Sequence, residues 1–107
     1  MDELLSRIQE LVGSGEFRVS EHGYDELAAD DIRVRDVVDG LREATLVEEY
    51  PNYQKGSCAL VLEADHEGRP IHAVWGIPQG YDSPAVLITG YRPDTDRWDE
   101  TFTGRLT

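Results

Sequence analysis

The sequence predicts an α+β domain, with N-terminal helices packed on one face of a curved antiparallel sheet of about four strands. Three observations carry this. Apolar residues recur at helical spacing over the first forty or so positions. From Thr45 onward, short apolar runs are separated by turn residues. The two kinds of segment do not alternate, so no parallel sheet with crossover helices is called for.

Residues 2–12 form the first predicted helix, with Leu4, Leu5, Ile8, Leu11 and Val12 on one stripe. Asp2 and Glu3 fall in its first turn, where the helix dipole favours acids. Gly13-Ser14-Gly15 ends it, with Gly13 as the expected left-handed cap. Residues 16–19 are short and alternating, and read as extended. Ser20 is a good N-cap for a second helix over residues 21–29, with His22 in its first turn and Tyr24, Leu27 and Ala28 inward. Asp30-Asp31 breaks it, and Ile32, Val34, Val37, Val38 and Leu41 mark a third helix ending near Gly40.

Four strands follow. Thr45 to Tyr50 is stopped by Pro51, and a turn carrying Lys55 leads into Cys58 to Ala64. The polar connection Asp65-His66-Glu67-Gly68 suits a hairpin into Pro70 to Ile77. After a longer loop, Ala85 to Tyr91 is the last strand. Residues 101–107 are expected to fray or run along the surface. The helix residues Leu4, Ile8, Leu11, Leu27, Val37, Val38 and Leu41 are expected to meet Leu60, Leu62, Val74 and Ile88 of the sheet.

Composition narrows the function classes. The 107 residues are 39% hydrophobic and 30% charged, which suits one soluble globular domain. No apolar run approaches the roughly 20 residues of a membrane span. The start Met1-Asp2-Glu3-Leu4-Leu5 lacks the basic opening of a signal peptide, so a cytoplasmic setting is expected. Twenty-two acids against ten bases give a net charge of −12. That field repels phosphate backbones and disfavours RNA, although it leaves room for a small local basic site and suits a basic protein partner. Cys58 is the single cysteine and lies in an apolar run, so it reads as an inert buried thiol.

The three histidines and Cys58 show no C-x-x-C or H-x-x-x-H spacing, so no metal or cofactor is expected. His66 reads as a solvated turn residue, and Trp75 and Trp98 as core anchors. Three positions remain. His22 sits at a helix start and His72 within a central strand, where it is either a satisfied core group or part of a site. Tyr91-Arg92 closes the last strand, where an arginine can hold a phosphate bidentately or pair with a carboxylate. His22, His72, Tyr91 and Arg92 are chemically sufficient to cleave RNA without metal. One imidazole takes the 2′-hydroxyl proton, the other protonates the leaving oxygen, and arginine stabilises the phosphorane. Lys55 and Arg69 are the expected substrate-binding cations.

The motifs also occur in a familiar order. Phe17-Arg18-Val19-Ser20-Glu21-His22, Asp31-Ile32 through Val37-Val38, Glu48-Glu49-Tyr50-Pro51 and Lys55-Gly56 come first. Pro70-Ile71-His72-Ala73-Val74 and Thr89-Gly90-Tyr91-Arg92-Pro93-Asp94 through Trp98 follow. This order resembles the bacterial domain-of-unknown-function family 4258 over about residues 16 to 98. Residues 1–15 are then an added helix and 99–107 a tail on a single domain. That family is similar to the RelE/ParE and MqsR toxin fold, which implies helices followed by a curved antiparallel sheet. Some relatives of that fold are ribosome-dependent or free mRNA endonucleases paired with an antitoxin. The resemblance places His22, His72 and Tyr91 on family positions. The chain departs from it at Glu26 and Asp30, where many members carry arginine.

The expected function is a toxin-like, metal-independent endoribonuclease or a diverged descendant, with an antitoxin-like protein partner. The alternatives are a non-catalytic interaction module that kept the fold, and a small-molecule binding domain using the groove beside His72. Convergence of the four side chains on one concave face decides between them.

Overall fold

A computed structural model describes residues 3–106, so the expectation for Asp2 lies outside the described residues, as do Met1 and Thr107. Helix α1 (Glu3–Gly13) buries Leu5, Ile8, Leu11 and Val12. It runs through Gly13, and the left-handed residue is Gly15, at φ 82°. Helix α2 (Glu21–Ala29) starts as the sequence predicts, but of its expected inner stripe only Leu27 is buried: Tyr24 and Ala28 face solvent, because the helix lies against β5 through Gly23 and Leu27. Ser20 Oγ accepts from the Gly23 amide at 2.9 Å and donates to the Ile88 carbonyl at 3.0 Å, so the cap also fixes the helix start to the last strand. Asp31, at φ 55°, turns the chain into α3 (Val34–Gly40), which continues as a short 3-10 turn over Leu41–Glu43.

The sheet has five strands: β1 (Phe17–Val19), β2 (Thr45–Tyr50), β3 (Cys58–Ala64), β4 (Pro70–Gly76) and β5 (Ala85–Tyr91), in spatial order β1-β5-β4-β3-β2. Strands β2 to β5 form the expected antiparallel meander. The extended segment before α2 is a fifth strand, however, and pairs parallel to β5 through Phe17↔Ala85 and Val19↔Leu87. The sheet is therefore mixed. Alternation marks Phe17–Val19 as extended, but it does not name a partner that lies nearly seventy residues further along the chain.

All three helices cover one face of this sheet. Leu5, Ile8, Leu11, Leu27, Ile32, Val37 and Leu41 pack with Ala59, Val61, Ile71, Ala73, Trp75 and Leu87. The expected sheet partners Leu60, Leu62 and Val74 have the opposite parity and face away from the helices, and Ile88 lies beside Gly76 on that same far face. Both faces of β3 and β4 are apolar, so alternation alone did not distinguish them, and a shift of one residue exchanges every side chain. Among the described residues no helix is long and apolar enough to cross a membrane.

Candidate functional site

The sheet face opposite the helices is divided in two. One part is open. A cavity of about 560 Å³ lies there, lined by Arg18, Ser20, His22, Tyr53, Lys55 and Ile88 among others. Each polar lining residue is placed by a local device. Arg18 projects from β1 on the side of its partner Val86. His22 follows the Ser20 cap, with Nε2 3.3 Å from Glu26 Oε1. Lys55 is held by the β2–β3 turn, where Gln79 N donates to the Lys55 carbonyl at 2.9 Å. Gly56 takes φ 131°, and a Cβ there would run into the Ile77 carbonyl, so the turn closes on the end of β4 only with glycine.

Charge makes this cavity unusual. Six of the ten basic residues pair with carboxylates: Arg7, Arg33, Arg35, Arg69, Arg92 and Arg105. Among the described residues Arg18 and Lys55 have no carboxylate partner, and both line the cavity that His22 lines.

The other part of the face is covered by the C-terminal segment, and His72 lies beneath it with no exposed surface. Its Nε2 is 2.7 Å from the Phe102 carbonyl. A carbonyl only accepts, which assigns the proton to Nε2 and leaves Nδ1 as an acceptor. Nδ1 has no hydrogen-bond partner, an arrangement that costs about 1–3 kcal/mol. The imidazole meets Tyr91 and Trp98 edge to face, with ring centroids at 5.4 and 4.5 Å. Burial holds His72 below its ordinary value, partly countered by the Phe102 carbonyl. Burial likewise pushes the Tyr91 hydroxyl up.

Beside it, Arg105 Nε and Nη2 grip the Glu48 carboxylate at 2.7 and 2.9 Å, and the Tyr50 hydroxyl also donates to Glu48. The Arg105 hydrogen bond is the largest cause holding the Glu48 carboxyl at about 2. Residues 101–106 run along the surface as expected but are anchored to the sheet through the Phe102 carbonyl and Arg105, and Trp98 just before them is 5% exposed and helps to seal His72.

Arg92 and Arg69 form a third group. Arg92 Nη1 donates to the Pro70 carbonyl at 3.1 Å and Nη2 to Asp65 Oδ2 at 2.9 Å. Arg69 pairs with Asp65 at 3.4 Å and Glu67 at 3.0 Å. Burial raises the Asp65 carboxyl, but the Arg69 and Glu67 amides and the Arg92 guanidinium outweigh it and hold it at about 2. The expected phosphate clamp Arg92 is thus committed to tying the end of β5 to the β3–β4 hairpin, and Arg69 to the same hairpin.

The structure brings His22 to Lys55, His72 to Tyr91, and Arg92 to Arg69. It does not bring the four expected catalytic residues to one cavity. His66 is also more than a solvated turn residue, since its Nδ1 lies 2.9 Å from Asp36 Oδ2. Sequence reasoning passed over Arg18, Glu48, Tyr50 and Glu63. Arg18 would have stood out had β1 been read as a strand. Glu63 carried a usable signal, an acid in phase with Ala59 and Val61 on a strand with two apolar faces. Among the described residues no three His, Cys, Asp or Glu side chains gather as a metal site.

One family model, Domain of unknown function (DUF4258), matches residues 19–95. The chain belongs to the DUF4258 family. No curated protein and no solved structure matches it. The match takes in β2 to β5 of this DUF4258 domain, together with the cavity residues Ser20, His22 and Lys55. It excludes α1 and stops short of Trp98, so the segment that seals His72 lies outside the DUF4258 match.

Proposed function

We propose that this DUF4258 domain is a diverged descendant of a toxin-like, metal-independent ribonuclease, and that the cavity of Arg18, His22 and Lys55 is where it engages RNA. One observation carries the reading. In a chain of net charge −12, two cations without carboxylate partners among the described residues share a cavity with an exposed histidine. Helices on one sheet face with an open cavity on the other are consistent with the RelE-like arrangement. A cytoplasmic setting and an antitoxin-like partner belong to the same proposal.

The chemistry needs few groups. His22 takes the proton of a ribose 2′-hydroxyl as that oxygen bonds to phosphorus. Arg18 balances the charge of the phosphorane. As the bond from phosphorus to the 5′-oxygen breaks, the Lys55 ammonium supplies the leaving oxygen with its proton. His72 takes no part, because it is sealed, and Arg92 none, because its guanidinium is committed to Asp65 and Pro70.

The test is cleavage of end-labelled single-stranded RNA at low salt with chelator present. His22→Ala should lose on the order of 10²–10⁴-fold in rate. Binding should show a slope of log K against log salt of roughly −1 to −3, since few phosphates are held. RNA binding that ignores Lys55→Ala and Arg18→Ala would overturn the reading. The sealing of His72 and the commitment of Arg92 favour a second reading, an interaction module that kept the fold without the chemistry. Under it, no RNA is cleaved, and a protein partner is bound instead.

A further inference from the structure

The covered half of the sheet face carries an inference independent of the RNA reading. Glu48, Tyr50, His72 and Tyr91 form a polar patch on this face, with Leu60 and Val74 between them. Residues of the C-terminal segment meet two groups of the patch directly, Glu48 and His72. Arg105 gives Glu48 a bidentate guanidinium. Trp98 sets its ring against the His72 imidazole. The Phe102 backbone carbonyl accepts from His72 Nε2. Arg105 also lies over the Trp98 ring at 4.6 Å, so cation and aromatic form one unit.

Three features set this segment apart from the core it covers. It lies beyond the family match, whereas all four patch residues lie within it. It leaves His72 Nδ1 buried without a partner, so the fit to the patch is incomplete. Phe102, whose carbonyl reaches His72, sits at φ 60°, a left-handed conformation that bulky residues rarely adopt.

The geometry points to the Glu48–Tyr50–His72–Tyr91 patch being a peptide-docking site. The chain's own residues 98–105 fill it here, and a basic, aromatic-bearing peptide of a protein partner takes it by displacing them. The ligand chemistry is read from the present occupant: a guanidinium for Glu48, an aromatic ring for His72 and a backbone acceptor for Nε2. The net charge of −12 favours a basic partner over an acidic one.

The experiment uses the full chain and a synthetic peptide with the sequence of residues 97–106. Arg105→Ala and Glu48→Gln each break the clamp, the first from the segment and the second from the patch. Carbethoxylation of His72 is followed by mass spectrometry, with the exposed His22 and His66 as internal references. Each variant should raise the relative rate at His72 about tenfold, the effect of losing one charge-assisted hydrogen-bonded pair. Excess peptide should restore protection in Arg105→Ala, which keeps Glu48, and fail to do so in Glu48→Gln. The inference is overturned if His72 stays as unreactive in both variants as in the wild type. Only variants that keep a cooperative thermal melt and wild-type relative rates at His22 and His66 are scored, and among these the inference is overturned equally if the peptide protects both alike or neither.

Discussion

Glu63→Gln should make the protein more stable at neutral pH and leave it little changed near pH 4. Glu63 stands on β3 in phase with the core residues Ala59 and Val61, and is 4% exposed. Its Oε2 accepts only a long bond, 3.4 Å, from Trp75 Nε1, and Oε1 has no partner. No cation faces it among its hydrogen-bond or ion-pair partners, so burial pushes the carboxyl well above its ordinary 4.5. The sign follows from linkage. A raised folded value means that the contribution is fully favourable below about pH 4.5 and is lost as pH rises toward the folded value. Each pH unit between the two costs ~1.4 kcal/mol. An amide has no proton to lose, keeps an acceptor for Trp75 and matches the shape of the acid. The variant should therefore be the more stable protein at pH 7, by a margin that widens as pH rises above 4.5, with each kcal/mol gained worth about 4–8 °C in melting temperature for a domain of this size. Thermal melts of both proteins from pH 4 to 8 test it. A difference that does not grow with pH, or a variant less stable at pH 7, would refute the reasoning.

Glu48 and Asp65 run the other way. Both carboxyls are held at about 2, so their contributions are present above about pH 4 and are lost as pH falls toward 2; Asp65→Asn should flatten acid unfolding followed by circular dichroism. His72 is held below 6.5 mainly by burial, so stability should rise with pH between its folded value and 6.5, and Arg105→Ala should move its NMR titration upward by opening the cover. Arg92→Lys should lower the melting temperature, because a point charge cannot bridge Asp65 and the Pro70 carbonyl together, while RNA affinity per folded molecule stays the same. An affinity loss in that variant would return Arg92 to the site.

Most of the architecture was legible because it rests on local signals. The Ser20 cap, the Asp30-Asp31 break, the Asp65–Gly68 hairpin and the apolar stripe of α1 each belong to a few adjacent residues, and each is where the sequence puts it, whereas the stripe of α2 keeps only Leu27. What escaped depends on distant pairing. Strand β1 acquires its identity from β5, and the buried face of β3 is chosen by the helices rather than by its own alternation. The site was less legible for the same reason. His22, His72, Tyr91 and Arg92 were grouped because each occupies a position where such a fold displays side chains. Whether a displayed side chain stays free depends on its neighbours. Asp65 claims Arg92, and Trp98 with Phe102 closes over His72. Arg18 and Lys55 are distinguished by meeting at one cavity with no carboxylate partner among the described residues, and no linear motif records that.

The central claim is that the cavity of Arg18, His22 and Lys55 is the working surface of the domain. Its most direct measurement is a titration of isotopically labelled protein with a short single-stranded RNA at low salt, followed residue by residue by NMR. The account predicts saturable shifts confined to the cavity, at Arg18, His22, Lys55, Gly56 and Ile88, with His72 unmoved beneath its cover. Shifts centred instead on Arg42 or Arg97, the other two cations without a carboxylate partner among the described residues, would contradict it, as would no saturable shift at all.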